Sequence, residues 1–402
     1  MAISISDNRI LARFTGGVLG GLLLAASPAL WAEGGCPCTG SCSGGAAQAE
    51  DNVFSLASLM GDDVPFTIGG WTQLGYHSNS DGIFNTSPEE INLHEQWLYA
   101  ERVADGRCGW DFGFRIDAIY GVDAQNTQAF GEPPPQHHFD TEWDYGIHGW
   151  ALPQVYVEVA NGDWSVKAGH FLTLIGYESV PAPGNFFYSR PFTFNFNEPF
   201  THTGVLGAYT LSDAVTLYGG WTAGWDTGFG RFDGGNNFLG GVKVGVNDNL
   251  TVTYALTAGD LGFPQGEGYS HSLVVDATLA EDWNYVFQWD LLAANTDPSL
   301  GPDTDFRYAL NNYLFYTINN ALKAGVRAEW FSSGGHSVYE ITTGVNVRPI
   351  PNLIIRPEFR WQFADSDQDK QYYANQFAGG IAAGGGIPTG GTIFGIDLIF
   401  TY

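Results

Sequence analysis

The stretch GWDFGFRIDAIYG, residues 109 to 121, switches chemistry at every step: Trp110, Phe112, Phe114, Ile116, Ala118 and Tyr120 share one phase, and Asp111, Gly113, Arg115, Asp117 and Ile119 the other. Successive side chains of a β-strand leave opposite faces, so this segment reads as a strand with one greasy and one largely ionic face. The pattern recurs. Trp283, Tyr285, Phe287, Trp289 and Leu291 oppose Asn284, Val286, Gln288 and Asp290, and Leu322, Ala324, Val326, Ala328 and Trp330 oppose Lys323, Gly325, Arg327 and Glu329. Leu353, Ile355, Pro357, Phe359 and Trp361 oppose Ile354, Arg356, Glu358 and Arg360, and Phe394, Ile396, Leu398, Phe400 and Tyr402 oppose Gly395, Asp397, Ile399 and Thr401.

In these five segments every charged residue falls on the second phase. A soluble sandwich core alternates large and small residues across a packed interface. Here Trp and Tyr gather toward strand ends and aliphatic residues toward the middle in several segments, the layout of a lipid-facing band between two aromatic girdles. The full pass gives strands at 66–77, 93–104, 109–120, 151–160, 163–171, 203–210, 213–222, 238–247, 249–258, 269–279, 283–292, 308–318, 321–331, 338–348, 352–362 and 391–402. Connections after even-numbered strands are tight, and those after odd-numbered ones mostly long, notably 78–92, 121–150, 172–202, 223–237, 293–307 and 363–390. The fold class that follows is all-β: a transmembrane antiparallel β-barrel of about 16 strands, with roughly 14 to 18 allowed by uncertain boundaries. Its short turns face the periplasm and its long loops the exterior. Closure gives every backbone N–H and C=O a partner where no water reaches. Pro357 removes one donor from a ladder and is expected at a bulge or near the rim.

Composition agrees. The 402 residues hold 16 Lys+Arg against 43 Asp+Glu, a formal charge of −27, with 15% aromatic and 15% charged residues and 54 glycines. No basic face is available for phosphate, so nucleic acid is not an expected partner. So many aromatics argue against disorder. Arg9 and Arg13 precede the apolar stretch Phe14 to Ala26 and the small residues Ser27, Ala29 and Ala32, which reads as a signal peptide over residues 1–32. Beyond it no run of eighteen apolar residues occurs, so helical spans are not expected. Residues 33–65 read as a Cys/Gly-rich periplasmic tether, and 50–60 as a short helix or plug within it. Cys36, Cys38 and Cys42 fit a glycine-rich tether with one local disulfide better than a soft-metal or redox site, and Glu33 argues against a lipid anchor at Cys36.

With the barrel in hand, IGYESVPAPGNFFYSRPFTFNFNEPFTHTGVLGAY, residues 175–209, and the opening FTIGGWTQLGY resemble the β-barrel porin-2, OmpL-like family of Gram-negative bacteria. The resemblance covers most of residues 66–402 and implies an outer-membrane porin for small hydrophilic solutes or ions. The terminal Phe400-Thr401-Tyr402 also resembles the aromatic-ended strand that barrel-assembly machinery recognises, although it ends in Tyr where Phe is commoner. Outer-membrane lipid is then the surrounding partner. A homotrimer is the oligomer suggested by analogy with sixteen-stranded porins.

In such a channel the inward residues set selectivity. The pore-lining set is Asp111, Arg115, Asp117, Lys167, Lys243, Asp276, Asp290, Lys323, Arg327, Glu329, Arg356, Glu358, Arg360 and Asp397, which would also pair across strands. Arg327, Arg356 and Arg360 are expected to make one wall locally basic, while acidic loops draw cations to the mouth. Loop 121–150 carries His137, His138 and His148 beside Asp140, Glu142 and Asp144; without defined ligand spacing it reads as a constriction folded into the lumen before a metal site. Asp365, Asp367 and Asp369 begin like a calcium loop, but Lys370 and Gln376 break the pattern. Arg190, Glu198 and His202 are expected to anchor a long loop to the barrel wall. No cofactor is implied.

Two other classes fit the sequence less well. An outer-membrane lipid hydrolase would use Ser189 and His202, whose spacing follows no triad signature. A secreted carbohydrate-binding β protein would share the aromatic abundance but not the uncharged outer faces.

Overall fold

The computed structural model describes residues 54–59, 64–80, 84–129, 140, 144–230, 234–295, 305–376 and 390–402. The signal segment, Cys36, Cys38, Cys42, His137, His138 and Glu142 lie outside them. Alternating stretches become strands β1 (Thr67–His77), β2 (Ile91–Arg102), β3 (Asp111–Gly121), β4 (Gly149–Asn161), β5 (Trp164–Leu172), β6 (Thr201–Ser212), β7 (Val215–Trp225) and β8 (Asn236–Asn247). They continue as β9 (Leu250–Asp260), β10 (Glu267–Ala280), β11 (Trp283–Ala294), β12 (Asp305–Asn319), β13 (Leu322–Ser333), β14 (His336–Ile350), β15 (Leu353–Phe363) and β16 (Gly390–Thr401). Each pairs antiparallel with its sequence neighbours, and β1 pairs with β16 to close the barrel. At the seam the Gly70 N–H donates to the Tyr402 carbonyl and the Tyr402 N–H to that of Gly70, both at 2.9 Å. Among the described residues no helix is long and apolar enough to cross a membrane.

Several strands run past the expected ends, as β4 and β14 do at both ends. The apolar alternation fades at the rims, where polar residues such as Asn161, His336 and Ser337 still pair. Pro357 corrects one expectation: it sits inside β15, opposite Ile396 of β16, with no bulge. The β14 ladder passes from Gly344 opposite Glu358 to Val347 opposite Ile355 in unbroken register. Facing lipid, the proline exposes no unpaired donor of its own.

The two phases face where the alternation sends them. Phe112 is 64% exposed, Val157 60% and Phe359 48%, whereas Asp117, Asp290 and Arg327 are 0% exposed. At the short-turn rim Trp164 packs on Tyr209 and Trp283 on Tyr316, with centroids 4.5 and 4.6 Å apart; Trp150 against Tyr120 and Tyr339 against Phe363 lie at the other rim. These are two girdles around an aliphatic band.

Spin labels on Phe112→Cys, Phe287→Cys and Phe359→Cys variants are expected to be relaxed by oxygen dissolved in the bilayer and shielded from aqueous nickel chelate. The reverse order would remove the membrane orientation.

Candidate functional site

The inward side chains do not face an open tube. Residues 173–200, between β5 and β6, run across the lumen and are hydrogen-bonded to β2, β11, β12, β13 and β15 by their backbone or through side chains. This segment has no ladder partner, so its buried peptide groups need acceptors and donors from elsewhere. The ionic inner face supplies them.

Three wall carboxylates accept loop N–H groups. Glu329 takes those of Phe192 at 2.7 Å and Thr193 at 2.6 Å, at the first turn of helix α2 (Phe192–Asn197), where negative charge meets the exposed N–H ends of a helix. Glu358 accepts from Tyr188 at 2.8 Å and Ser189 at 3.0 Å. Glu95 accepts from Ala182 at 3.1 Å and from the Trp71 indole. Guanidiniums satisfy the carbonyls: Arg356 donates to Ala182 at 2.9 Å and Asn185 at 2.7 Å, Arg327 to Ser189 at 2.9 Å, Arg360 to Arg190, and Arg307 to Phe196. Bonds to charged groups each contribute about 1.5–3 kcal/mol net, so the loop is held as firmly as a strand edge. Small residues let it approach. Side chains at Gly75 and Gly325 would collide with Tyr188 and Phe186 of the loop.

The arginines are not a bare basic wall. Arg327 pairs with Glu178 at 2.8 Å and with Glu340, Arg356 with Asp397 at 2.6 Å, and Arg360 with Glu340 at 3.5 Å, all fully buried. Burial is tolerable only because each charge is paired and hydrogen-bonded, and that correction follows from the loop excluding water over them. Arg115 sits between Asp117 and Glu101, and Gln73 bonds Asp397. Asp111 lies near the periplasmic turn, paired with Arg102. Asp276, half-buried, accepts from Asn284, and Lys323 lies over the Phe315 ring.

Of the expected anchors, Arg190 is buried in the loop and donates to Val180 at 2.8 Å. Glu198 meets β11: the Gln288 amide donates to it and, at 3.0 Å, to Asp290, so the two buried carboxyls share one amide donor. Burial, and then the charge of Asp290, holds the Glu198 carboxyl well above the ordinary carboxylate range. His202 is already in β6, and Thr173 lies 3.0 Å from its Nε2 at the loop's root. Ser189 receives Arg327 on its hydroxyl, so Ser189 and His202 serve different partners.

Glu95, Glu178, Glu340, Asn311 and Gln288 were missed by the sequence reading. Glu340 was legible, sharing its phase with Val338 and Thr342 in β14. Glu95 was hidden by an extra residue in β2: Gln73 opposes Glu95 and Leu74 opposes Leu93, so His94 and Glu95 both turn inward. His94 then joins Asp123 at 2.8 Å to the Tyr188 hydroxyl at 2.6 Å. In loop 121–150 the described part includes α1 (Val122–Thr127), packed on β2, β3 and β4, with His148 stacked on Tyr120 and Asp144 accepting from Gln128. The segment seen crossing the lumen is 173–200. Asp367 and Asp369 begin helix α3 (Asp367–Gln376), where Asp369 bonds His336 and Ser366.

What the loop leaves open lies to one side. A void separates Leu172–Val180, Phe194 and Phe200 from the wall at Tyr218, Lys243, Thr253 and Ala255. A smaller one, also bordered by Leu174 and Tyr218, is lined by Lys167, Glu158 and Ser165. Of the inward set, Lys243 borders the first and Lys167 the second.

Two outcomes test the pinning. Arg327→Met strands Glu340 and Glu178 and is expected to cost about 3–5 kcal/mol, read as a lower urea midpoint for the folded band on gels. Burial and the neighbouring Asp290 favour the protonated Glu198, so the packing of this corner is most stable at low pH and loses stability as pH rises through the raised Glu198 pKa. Protease cleavage within 173–200 should therefore increase toward alkaline pH, and the Glu198→Gln variant should show no such rise.

The comparisons agree with this architecture. Residues 65–402 match the family model described as "Putative beta-barrel porin-2, OmpL-like". No curated protein matches the chain. Among solved structures, OmpT of Vibrio cholerae in its trimer form and an anion-selective porin from Comamonas acidovorans are each 11% identical at a TM-score of 0.55, the match covering 84% of this chain and 99% of theirs. The outer membrane channel DcaP of Acinetobacter baumannii is 9% identical at 0.55, covering 84% of this chain and 97% of that one. At such identities the likeness is one of fold. The family match spans the entire barrel, and the chain belongs to the OmpL-like β-barrel porin-2 family, passive channels of the outer membrane.

Proposed function

We propose that solutes cross this barrel off-centre, through the gap between loop 173–200 and the wall of β4 to β9, while the opposite half of the lumen is a permanently packed core. The observation that carries this reading is the void bordered by Tyr218 and Lys243, with a second void beside Lys167 that shares Leu174 and Tyr218 with it. Charges elsewhere on the inner face mostly hold the loop or pair with one another along the wall. Asp276 and Lys323, both half-buried toward the short-turn rim, belong in this reading to the periplasmic vestibule. Size is set by the loop and by Tyr218, and no covalent step is involved: the Ser189 hydroxyl and the His202 ring are occupied by structural partners. The sixteen-stranded wall also suits a homotrimer, the form named for OmpT of Vibrio cholerae. The aromatic residues closing β16 suit recognition by the assembly machinery.

Purified folded protein in planar bilayers is expected to give discrete conductance steps in potassium chloride, and Tyr218→Ala, by widening the gap, larger ones. Absence of steps from wild type, or an unchanged step in Tyr218→Ala, would overturn the route. Cross-linking in native membranes is expected to stop at a three-chain band.

A further inference from the structure

We propose that the larger void is a binding station for small organic anions that carry an apolar, ring-sized body, and that Lys243 is its selectivity residue. The inference rests on the off-centre route proposed above and names what that route favours.

Three observations converge. First, the lining is mixed in a particular way: Leu174, Ile175, Phe194, Phe200 and Tyr218 offer apolar and aromatic surface, which would bind an inorganic ion poorly but suits a ring. Second, Lys243 projects from the inward phase of β8, between Thr216 and Thr253, and among the described residues its ammonium has no ion pair or hydrogen bond. The other inward cations are mostly engaged: Lys167 lies over the Tyr156 and Phe171 rings with Glu158 directly across the strands, and Arg327, Arg356 and Arg360 are paired. Third, a second cation stands behind the opposite side. The Arg190 guanidinium, 3% exposed, bonds Val180 and lies over the Phe194 ring, both of which line the void, and its Nε and Nη1 have no partner. The one carboxylate on the lining, Glu178, is paired through Oε1 with Arg327 at 2.8 Å, and its Oε2 has no partner among the described residues. The void is therefore bordered by apolar surface, two cations and one paired carboxylate, and a buried cation in such surroundings is stabilised by an anionic solute. A carboxylate or sulfonate on a phenyl-sized body satisfies both features, the head on Lys243 and the body among the rings.

The test uses the full folded chain in planar bilayers, with benzenesulfonate, phenyltrimethylammonium and methanesulfonate as probes. Benzenesulfonate is expected to reduce the potassium chloride current in a saturable way, and the other two to do so far less. Lys243→Gln should weaken that block by about tenfold, as loss of one charge-assisted contact does, and Lys243→Arg should restore most of it. Lys323→Gln, a wall lysine away from the void, should leave the block unchanged. Equal block by the phenyl cation, equal block by methanesulfonate, or an unaltered Lys243→Gln variant would each overturn the station while potassium chloride conductance kept the channel reading intact. A wild-type protein without conductance would remove the route and the station together.

Discussion

Everything in this molecule depends on the requirement that no backbone polar group be left bare in hydrocarbon. The sheet meets it by closing on itself: β1 pairs with β16 from Trp71 opposite Thr401 to His77 opposite Gly395. Closure then divides the side chains into two populations with different solvents. The outward one needs only to be apolar and to carry indoles and phenols at the rims. The inward one is left free to be ionic, and it is this freedom that the 173–200 segment exploits.

The loop repeats the same requirement on a smaller scale. A chain crossing a protein-filled lumen has no sheet to join, and its amides are shielded from water as thoroughly as those in lipid. Glu329, Glu358 and Glu95 replace the missing acceptors, and Arg356, Arg360 and Arg327 the missing donors. The charges of the inner wall thus act first as a backbone-binding surface. Where they thin out, on β7 to β9, the wall at the gap is Thr, Gly, Tyr and Ala with Lys243, and there the loop stands away from it.

How much of this could be read beforehand follows from the range of each signal. The barrel, its strand count and the facing of Phe112 or Arg327 were legible because alternation is local and repeated many times. Arg190, Glu198 and His202 stand together in one long stretch of sequence, but their partners cannot be read there: Arg190 bonds Val180 within the loop, and Gln288 lies 90 residues from Glu198. Glu95 escaped because one extra residue, His94, breaks the period on which the reading rested. The basic wall was misjudged for a related reason. Phase tells which way Arg356 points, whereas only the fold tells that Asp397 and two loop carbonyls wait there.

The seam between β1 and β16 has one more effect, on the order of events during biogenesis. These are the two strands furthest apart along the chain, so the last ladder cannot form until every other strand has been delivered. Until then the polypeptide carries two unsatisfied edges and a full set of greasy faces in an aqueous compartment, a state prone to aggregation. Pairing of β16 with β1 removes both edges in a single step.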